Sequence, residues 1–564
     1  MSTIKDLNRF VKNPVSISIK RSKFNRGFTH KTTFKSGKLV PIFLDEVIAG
    51  DTFKVNLSSV VRMLTPVVPV MDNAFLDVYF FYVPCRLATI HPDDWQKING
   101  ENKGGYWAPS SESTLENTGN MLNGDDTGNG FVIPYDSVPA YMGLPVGDWS
   151  GNNDATAWRE QFNFNIMPFI AYTKIWNEFF RDQNTQAPVS ITNASDVQTL
   201  YFKQDSCLDV NKLHDYFCSA LPAPQKGDAV LLPMAGSAPV ITGEPVNRGH
   251  QRSATWLSAS GTTVQGAVTL KGNAVEGAVM EVNNTTPSMG TGIYPSNLYA
   301  DLQNATAVSV NEMRQAIAIQ RMLEKDARGG TRYREMLKAH FGVTVPDLTV
   351  QVPEYLAGKR VPLNITQVLQ TSETSSTPLG TTGAFSNTSF SDYMFTKSFN
   401  EAGYVIGVAC VRTEQSYSQG VSKLWTRNRR YDWYDPTFAN LGEQAIFKRE
   451  LFLQHSVPGV TAPDFEEVFG YQEAWAEYRF HPNQISGALA PNAGNANFTA
   501  WTYTNNFSAT PTLNSAFMKQ PSSQIGDTLV VTNTKEQFVA DFYFDCVCVR
   551  PMPLYSIPGL MDHH

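Results

Sequence analysis

A strict alternation of apolar and polar positions near the C-terminus restricts the fold more than any other pattern in this chain. Every second residue from Phe538 to Cys548 is apolar, and the positions between them include Asp541, Tyr543 and Asp545. Successive side chains of a β-strand point to opposite faces of its sheet, so this period of two predicts one long strand. One face of that strand is expected in a core and the other outside it.

Two further segments predict long strands far from the first. Residues 74–84, "AFLDVYFFYVP", are apolar on both faces except at Asp77, which predicts a strand that is covered from both sides. Residues 403–414, "GYVIGVACVRTE", form another such run. Long strands whose partners lie hundreds of residues away in the sequence are typical of Greek-key and jelly-roll sandwiches. The predicted fold class is mainly β: a single jelly roll, an eight-stranded antiparallel sandwich, with large loop insertions containing helices.

Composition changes along the chain and predicts four regions. We interpret 1–35 as a basic N-terminal arm, 36–224 as the first part of the jelly roll with helical insertions, and 298–564 as a helical insertion and the second part of the jelly roll. The region between them, 225–297, is rich in Gly, Ala, Val and Thr and poor in charge, and its short alternating pieces predict a small β excursion that forms an inserted surface protrusion. A disordered loop is the alternative, although about 70 residues without structure would be unusual in a compact protein.

The N-terminal segment is strongly basic. Its 35 residues contain nine lysines and arginines and one acidic residue, Asp6, whereas the whole chain has a net charge of -7. This asymmetry predicts a segment that meets a polyanion, and a solvated terminus without a partner is the alternative. Because the cations are spread out rather than patterned, we expect contacts to backbone phosphates without sequence reading. The predicted nucleic-acid-binding residues are Lys5, Arg9, Lys12, Lys20, Arg21, Lys23 and Arg26.

The chain has few charges for its length and many aromatic residues. Charged residues make up 17%, against about 25% in globular domains, which suggests that partners cover much of the surface. The segment "LWTRNRRYDWYDPTF" interleaves arginines with large aromatic side chains, a pattern of protein–protein hot spots. The same pattern can stack the bases of single-stranded nucleic acid. The predicted subunit-interface residues are Trp425, Arg427, Arg429, Arg430, Tyr431, Trp433 and Tyr434.

The spacings that catalytic and metal sites require are not found in the sequence. Six scattered cysteines form neither a CxxC pair nor a Cys/His ligand set, so we expect reduced thiols in core or interface positions. The glycine pair in "DARGGTRYRE" does not match the P-loop pattern. We predict a protein that is not an enzyme and has no catalytic residues, no metal ligands and no cofactor. No apolar run approaches the roughly 18 residues of a membrane span.

Long segments, in the same order along the chain, show a likeness to one known family. They are "GKLVPIFLDEVIAGDTFKV" followed by "VRMLTPVVPVMDNAFLDVYFFYVPCRL", "LEKDARGGTRYREMLKAHFGV" with "PEYLAG", "RRYDWYDPTFANLGEQAIFKREL", "FGYQEAWAEYRFHPNQISG" and the C-terminal "PLYSIPGLMDHH". These segments resemble the major capsid protein of the Microviridae, small icosahedral phages with single-stranded DNA, and are most similar to the gokushovirus branch. Little likeness is found between 225 and 297.

The resemblance implies a structural protein of the virion. It implies a T=1-type icosahedral shell that packages circular single-stranded DNA, and it makes 225–297 the candidate for a protrusion at the threefold axis with a role in host attachment. The implied partners are other copies of the chain, the DNA genome, virion proteins such as a DNA pilot or internal scaffolding protein, and a host cell-surface receptor. Assembly is expected in the host cytoplasm.

A carbohydrate-binding or carbohydrate-active β-sandwich is the second hypothesis, because exposed tryptophans and tyrosines can stack on sugars. Mass separates the two hypotheses, since a shell has megadalton mass and a monomer has 62.6 kDa. A glycosidase would also need two carboxylates about 5–10 Å apart. No pair in the sequence indicates such a site.

Overall fold

The computed structural model describes residues 20–90, 132–148, 163–230, 310–375, 378–453, 466–491, 496–530 and 536–555, and it locates short strands in the intervening segments. Eight strands form the central sandwich. They are β1 Phe28–Phe34, β2 Val40–Val47, β3 Thr52–Met63, β4 Ala74–Pro84, β5 Glu354–Pro362, β6 Thr388–Ser398, β7 Gly403–Thr413 and β8 Phe538–Arg550.

These strands form two antiparallel sheets with jelly-roll topology. The first sheet has the order β1-β8-β3-β6, and the second sheet has the order β2-β7-β4-β5. Consecutive strands alternate between the sheets except for β4 and β5, which are neighbours in the second sheet. The first strand pairs with the last, so that Phe28 lies opposite Phe544 and Phe34 opposite Phe538. The predicted mainly β sandwich is confirmed, and its strand order is that of two interlocked Greek keys.

Aromatic side chains fill the space between the two sheets. The ring of Phe43 on β2 lies 5.0 Å from that of Phe544 on β8 and 5.8 Å from that of Phe80 on β4, measured between centroids. The alternate residues of β8 from Phe538 to Cys548 are all buried, as the period of two predicts. Burial of a large aromatic side chain stabilises a core by several kcal/mol at about 25 cal/mol per Å².

The outer faces of the two sheets differ. A helix, Met167–Ile175, continues as the π-helical turn Trp176–Phe180 and packs on the outside of the second sheet, where Phe81 lies 4.7 Å from Phe179 between ring centroids. Residues 74–84 are therefore covered from both sides, as predicted. Within the described residues, no helix packs on the outer face of the first sheet, and Tyr393 and Tyr543 are about half exposed there; we call it the open face.

The structure differs from the predicted arm over 22–34. The strand Ser22–Asn25 and β1 both pair with β8 in the first sheet, so part of the basic segment belongs to the sandwich. The inward positions of β1 include His30 and Thr32 rather than apolar residues, which obscures its period of two in the sequence. His30 Nδ1 lies 2.7 Å from the carbonyl oxygen of Ile42 and links the edges of the two sheets.

Loop insertions contain the remaining elements. The helices are Val138–Tyr141, Ala194–Tyr201, Val310–Arg328, Tyr333–Phe341, Ala496–Thr499, Ser515–Met518 and Ser523–Gly526. The additional strand pairs are Met121–Asn123 with Asn163–Asn165, Val132–Ile133 with Gly147–Asp148, Ile365–Leu369 with Thr382–Ser386, Ser416–Tyr417 with Asn483–Gln484, and Glu443–Phe447 with Val468–Glu473. The last pair belongs to a second apolar core, in which Ile446 and Leu451 are fully buried.

The chain divides into two compact units, of which the smaller is Gln225–Lys325 and the larger is the rest. Three nested antiparallel pairs lie in the smaller unit. They are Val240–Thr242 with Leu298–Ala300, Trp256–Ser258 with Ile293–Pro295, and Val268–Asn273 with Gly277–Val282. These strands agree with the β excursion expected for 225–297, and its role as a protrusion stays a prediction.

Candidate assembly surface and genome contact

The segment 424–434 is held in a defined conformation by aspartate side chains. Oδ2 of Asp432 accepts hydrogen bonds from the backbone N–H groups of Asn428 and Arg429 at 2.9 and 2.7 Å. These two bonds lower the pKa of Asp432, because they favour its ionised form. Asp435 caps the following 3₁₀ turn by accepting from the N–H of Thr437 at 2.9 Å. Two short turns therefore fix the backbone that presents the neighbouring aromatic residues.

Large apolar side chains on this segment face outward. Trp425 is 79% exposed, Tyr431 is 72% exposed, and the adjacent Leu424 is 64% exposed. Trp433 and Tyr434 are about half exposed. We call the exposed side chains of 424–434 the aromatic surface. Grouped exposure of this kind marks interaction sites rather than ordinary solvated surface.

The predicted arginines in this segment divide into two kinds. Arg427 faces the protein: its side chain is 8% exposed, its Nη2 lies 3.0 Å from Oε1 of Glu477, and its guanidinium lies 4.4 Å from the ring centroid of Tyr478. Arg429 and Arg430 are exposed. Arg427 therefore holds the segment on its support, while the other two arginines are available at the surface.

Two further exposed aromatic side chains come from another segment and were not among the predicted interface residues. Tyr478 and Phe480 are both about half exposed, and the ring of Tyr478 lies 6.2 Å from that of Tyr434. They come from "FGYQEAWAEYRFHP", whose aromatic residues were the available signal. The antiparallel pairing of Glu443–Phe447 with Val468–Glu473 brings this segment next to 424–434, and no local pattern predicts that pairing.

The basic residues near the N-terminus also divide. Lys20, Arg21 and Lys23 are exposed. Arg26 is paired: its Nη1 lies 2.7 Å from both carboxylate oxygens of Asp45. The predicted nucleic-acid contacts at Lys5, Arg9 and Lys12 lie outside the described residues.

The open face of the first sheet continues this basic region. Its exposed cations are Lys31 on β1 and Lys54 and Arg62 on β3, and Tyr393 and Tyr543 lie on the same face. The half-buried Asp541 and Asp545 of β8 also lie there, so the face carries both charges with the cations more exposed. Cations that track phosphates beside aromatic rings that stack bases are the usual components of a surface for single-stranded nucleic acid.

A buried charged cluster links three strands of the second sheet. The carboxylate of Asp77 on β4 is fully buried and accepts from Arg360 Nε at 2.7 Å and from Arg412 Nε at 2.8 Å, on the neighbouring strands β5 and β7. Burial raises the pKa of Tyr79 beside it to about 12. All six cysteines are free. Among the residues that the structure describes, no helix is both long and apolar enough to cross a membrane.

Comparison with known proteins decides the family. A family described as capsid protein (F protein) matches residues 14–560, which is nearly the whole chain. The chain belongs to this family of phage capsid proteins. A capsid protein assembles with copies of itself and is part of the virion.

Three curated relatives agree with this family. The chain is 38% identical over 558 residues to capsid protein VP1 of Bdellovibrio phage phiMH2K, with 96% of each chain covered. It is 34% identical to VP1 of Chlamydia phage 1, with 98% of each covered, and 33% identical to VP1 of Spiroplasma virus 4, with 96% of each covered. The resemblance to the Microviridae is confirmed, and the carbohydrate-binding alternative is not favoured.

In a capsid protein, the aromatic surface and the open sheet face acquire specific candidate roles. The first has the composition of a protein–protein contact and the second that of a nucleic-acid contact. Capsid proteins are structural, and the expectation that this chain catalyses no reaction stays a prediction.

Proposed function

We propose that this capsid protein forms a T=1-type icosahedral shell around a circular single-stranded DNA genome. The observation that carries the proposal is a jelly roll with one sheet covered by its own helices and the other presenting exposed cations and tyrosines, in addition to a separate exposed aromatic surface. Segment 225–297 forms the outer protrusion and takes part in host attachment through a cell-surface receptor. A DNA pilot or internal scaffolding protein joins the shell, which assembles in the host cytoplasm.

The aromatic surface is the proposed contact between subunits. Tryptophan, tyrosine and arginine dominate interface hot spots, and a stable interface buries about 1,200–2,000 Å² in total. Closed symmetry requires each subunit to present the same patches to its neighbours. The exposed Trp425 and Tyr431 are the anchors that such a contact would bury first.

Alanine variants test this contact. In Trp425→Ala and Tyr431→Ala we expect intact folding of the subunit, because both side chains are largely exposed, and a large fall in shell yield by analytical ultracentrifugation. Arg427→Ala is the matched contrast, since it leaves the carboxylate of Glu477 without its cation and should lower the unfolding free energy itself. Normal shell yield from the tryptophan and tyrosine variants would remove this surface from the proposed interface.

The proposed genome contact combines the N-terminal segment with the open sheet face. Removal of residues 2–19 should lower DNA retention and leave the fold intact, because Ser22–Asn25 and β1 retain their pairing with β8. A longer deletion to residue 26 would also remove one sheet strand and the Arg26–Asp45 pair, so its effects on DNA and on folding would be mixed.

Salt dependence gives the sharper test. Each phosphate contact to single-stranded DNA contributes about 0.7 to the slope of log affinity against log salt. Lys23→Gln should therefore reduce that slope, measured with subunits and a single-stranded oligonucleotide. Lys359→Gln is the control, because Lys359 pairs with Asp392 at 2.7 Å on another part of the sandwich. Equal slopes for wild type and Lys23→Gln would contradict the contact at Lys23.

A further inference from the structure

A cluster of three side chains that could bind a metal lies between the two sheets, next to the strand Ser22–Asn25. Cys546 and Cys548 on β8 and Asp45 on β2 offer ligand atoms that all lie within 4.8 Å of one another. Among the residues that the structure describes, this is the one group of three or more such side chains. Both cysteines are fully buried, and the side chain of Asp45 is 9% exposed.

The spacing of the two sulfurs fits a tetrahedral metal centre. Cys546 and Cys548 are two residues apart on one strand, so their side chains share a face, and their Sγ atoms are 3.6 Å apart. Two sulfurs that are each bound to zinc at about 2.3 Å with tetrahedral geometry lie about 3.8 Å apart. Little movement of either thiol is needed to bring both onto one ion.

A bound divalent ion would supply the charge that the deprotonated ligands need. Two thiolates, Asp45 and the neighbouring buried Asp51, which pairs with Arg550, carry four negative charges, and a divalent ion with the Arg26 and Arg550 guanidiniums offsets them. Nη1 of Arg26 lies 2.7 Å from both oxygens of Asp45, and Nη2 of Arg550 lies 3.9 Å from Oδ1. Each carboxylate oxygen has two lone pairs, so Asp45 can accept from Arg26 and still face a metal. Hydrogen bonds to a ligating carboxylate are the usual outer support of a metal site.

We propose that Cys546, Cys548 and Asp45 form a binding site for a soft divalent cation of the zinc type, with a water completing four-coordination. Thiolates select zinc-type ions over magnesium and calcium. The side chain of Arg26, which pairs with Asp45, is 41% exposed, so this ion pair reaches the protein surface. The sequence predicted no metal ligands, because its cysteines form neither a CxxC pair nor a Cys/His set, and Asp45 lies hundreds of residues from Cys546 and Cys548.

Such an ion would join the two sheets where the chain enters the sandwich. Asp45 belongs to the second sheet, and the two cysteines belong to the first. Phe24, in the strand Ser22–Asn25 that precedes β1, pairs with Cys548. The ion would therefore fasten the base of the N-terminal basic segment to the last strand. This role is independent of what the basic segment binds.

Metal titration of the full-length protein tests the site. After incubation with zinc under reducing conditions and removal of excess metal, we expect one zinc per chain by elemental analysis and a rise in the thermal unfolding midpoint. Cadmium should produce the ultraviolet absorption band of a thiolate–cadmium bond, which carboxylate binding alone cannot produce. This second measurement needs no variant and so does not depend on how a substituted core folds.

Variants locate the ion. The double variant Cys546→Ala/Cys548→Ala should lose the bound zinc and the cadmium band, and Asp45→Asn should bind zinc more weakly. Cys410→Ala, which removes a different fully buried thiol, should bind as the wild type does. No zinc on the wild type, equal zinc on the double variant, or a Cys546–Cys548 disulfide in the purified protein would each overturn the proposal.

Discussion

Asp77 illustrates how a single buried charge can be held by its neighbours across a sheet. Its carboxylate is fully buried and receives hydrogen bonds from Arg360 and Arg412 on the two adjacent strands. The sequence shows Asp77 only as the polar exception in an apolar strand. Its partners lie hundreds of residues away, so the ion cluster could not be predicted from local pattern.

Removal of this charge should destabilise the subunit. Asp77→Asn leaves the largely buried Arg412 without its ionic partner, and breaking a buried pair in this way costs about 3–5 kcal/mol. Urea denaturation of the wild type and variant measures the difference. Asp392→Asn is the control, because the Asp392–Lys359 pair is exposed and should contribute at most about 1 kcal/mol. If Asp77→Asn lowered the unfolding free energy by less than about 1 kcal/mol, the cluster would add little stability.

The buried Glu450 should make the unfolding free energy depend on pH. Burial raises the pKa of Glu450, and Lys423 and the N–H of Phe447 offset this effect only in part. The folded chain therefore holds this proton more strongly than the unfolded chain does. Glu450 therefore contributes most to the unfolding free energy below the pKa that it has in the unfolded chain. This contribution is lost as the pH rises through the higher pKa that it has in the folded chain.

A variant isolates this contribution. Glu450→Gln keeps an oxygen that can accept from Phe447 but cannot ionise, so its stability relative to wild type should rise from mildly acidic to neutral pH. Urea unfolding of both proteins over that range gives the difference. A constant difference would contradict the raised pKa.

At the scale of elements, the pattern of apolar residues identifies individual strands, whereas the sequence does not show which strands pair. The long strands β8, β4 and β7 follow from the sequence: β8 is indicated by its period of two, and β4 and β7 are indicated by long apolar runs, because burial on one or both faces of a sheet imposes these patterns. β1 lies within residues 1–35, which their basic composition predicts as an arm, and its inward His30 and Thr32 obscure the period of two. The aromatic surface was predicted as a segment, but its neighbours Tyr478 and Phe480 and the inward role of Arg427 depend on strand pairing that sequence does not show.

Neighbouring residues of β8 test the two faces of one strand. Phe544 lies in the core against Phe28 and Phe43, whereas Tyr543 lies on the open face. Phe544→Ala should lower the unfolding free energy by about 3–5 kcal/mol through the cavity that it leaves. Tyr543→Ala should change it by less than about 1 kcal/mol. Similar losses in both variants, measured by urea unfolding, would contradict this arrangement.

At the scale of the whole molecule, the division into two units predicts separable folding. The smaller unit contains nested antiparallel pairs that contact their own partners. Replacement of residues 226–300, which contain all three pairs, by a short flexible linker should therefore leave the sandwich folded, with β-type circular dichroism and cooperative unfolding retained. Global unfolding of this deletion variant would show that the insertion is part of the core.

A subunit whose open sheet face carries exposed cations and tyrosines, and which also has an exposed aromatic surface, should bury both only when many copies enclose nucleic acid. Electron microscopy of the protein purified from cells that express it, with mass measured on the same sample, tests this most directly. We expect closed, uniform particles of megadalton mass with icosahedral symmetry. A stable, monodisperse species at the 62.6 kDa of one chain under all assembly conditions would contradict it.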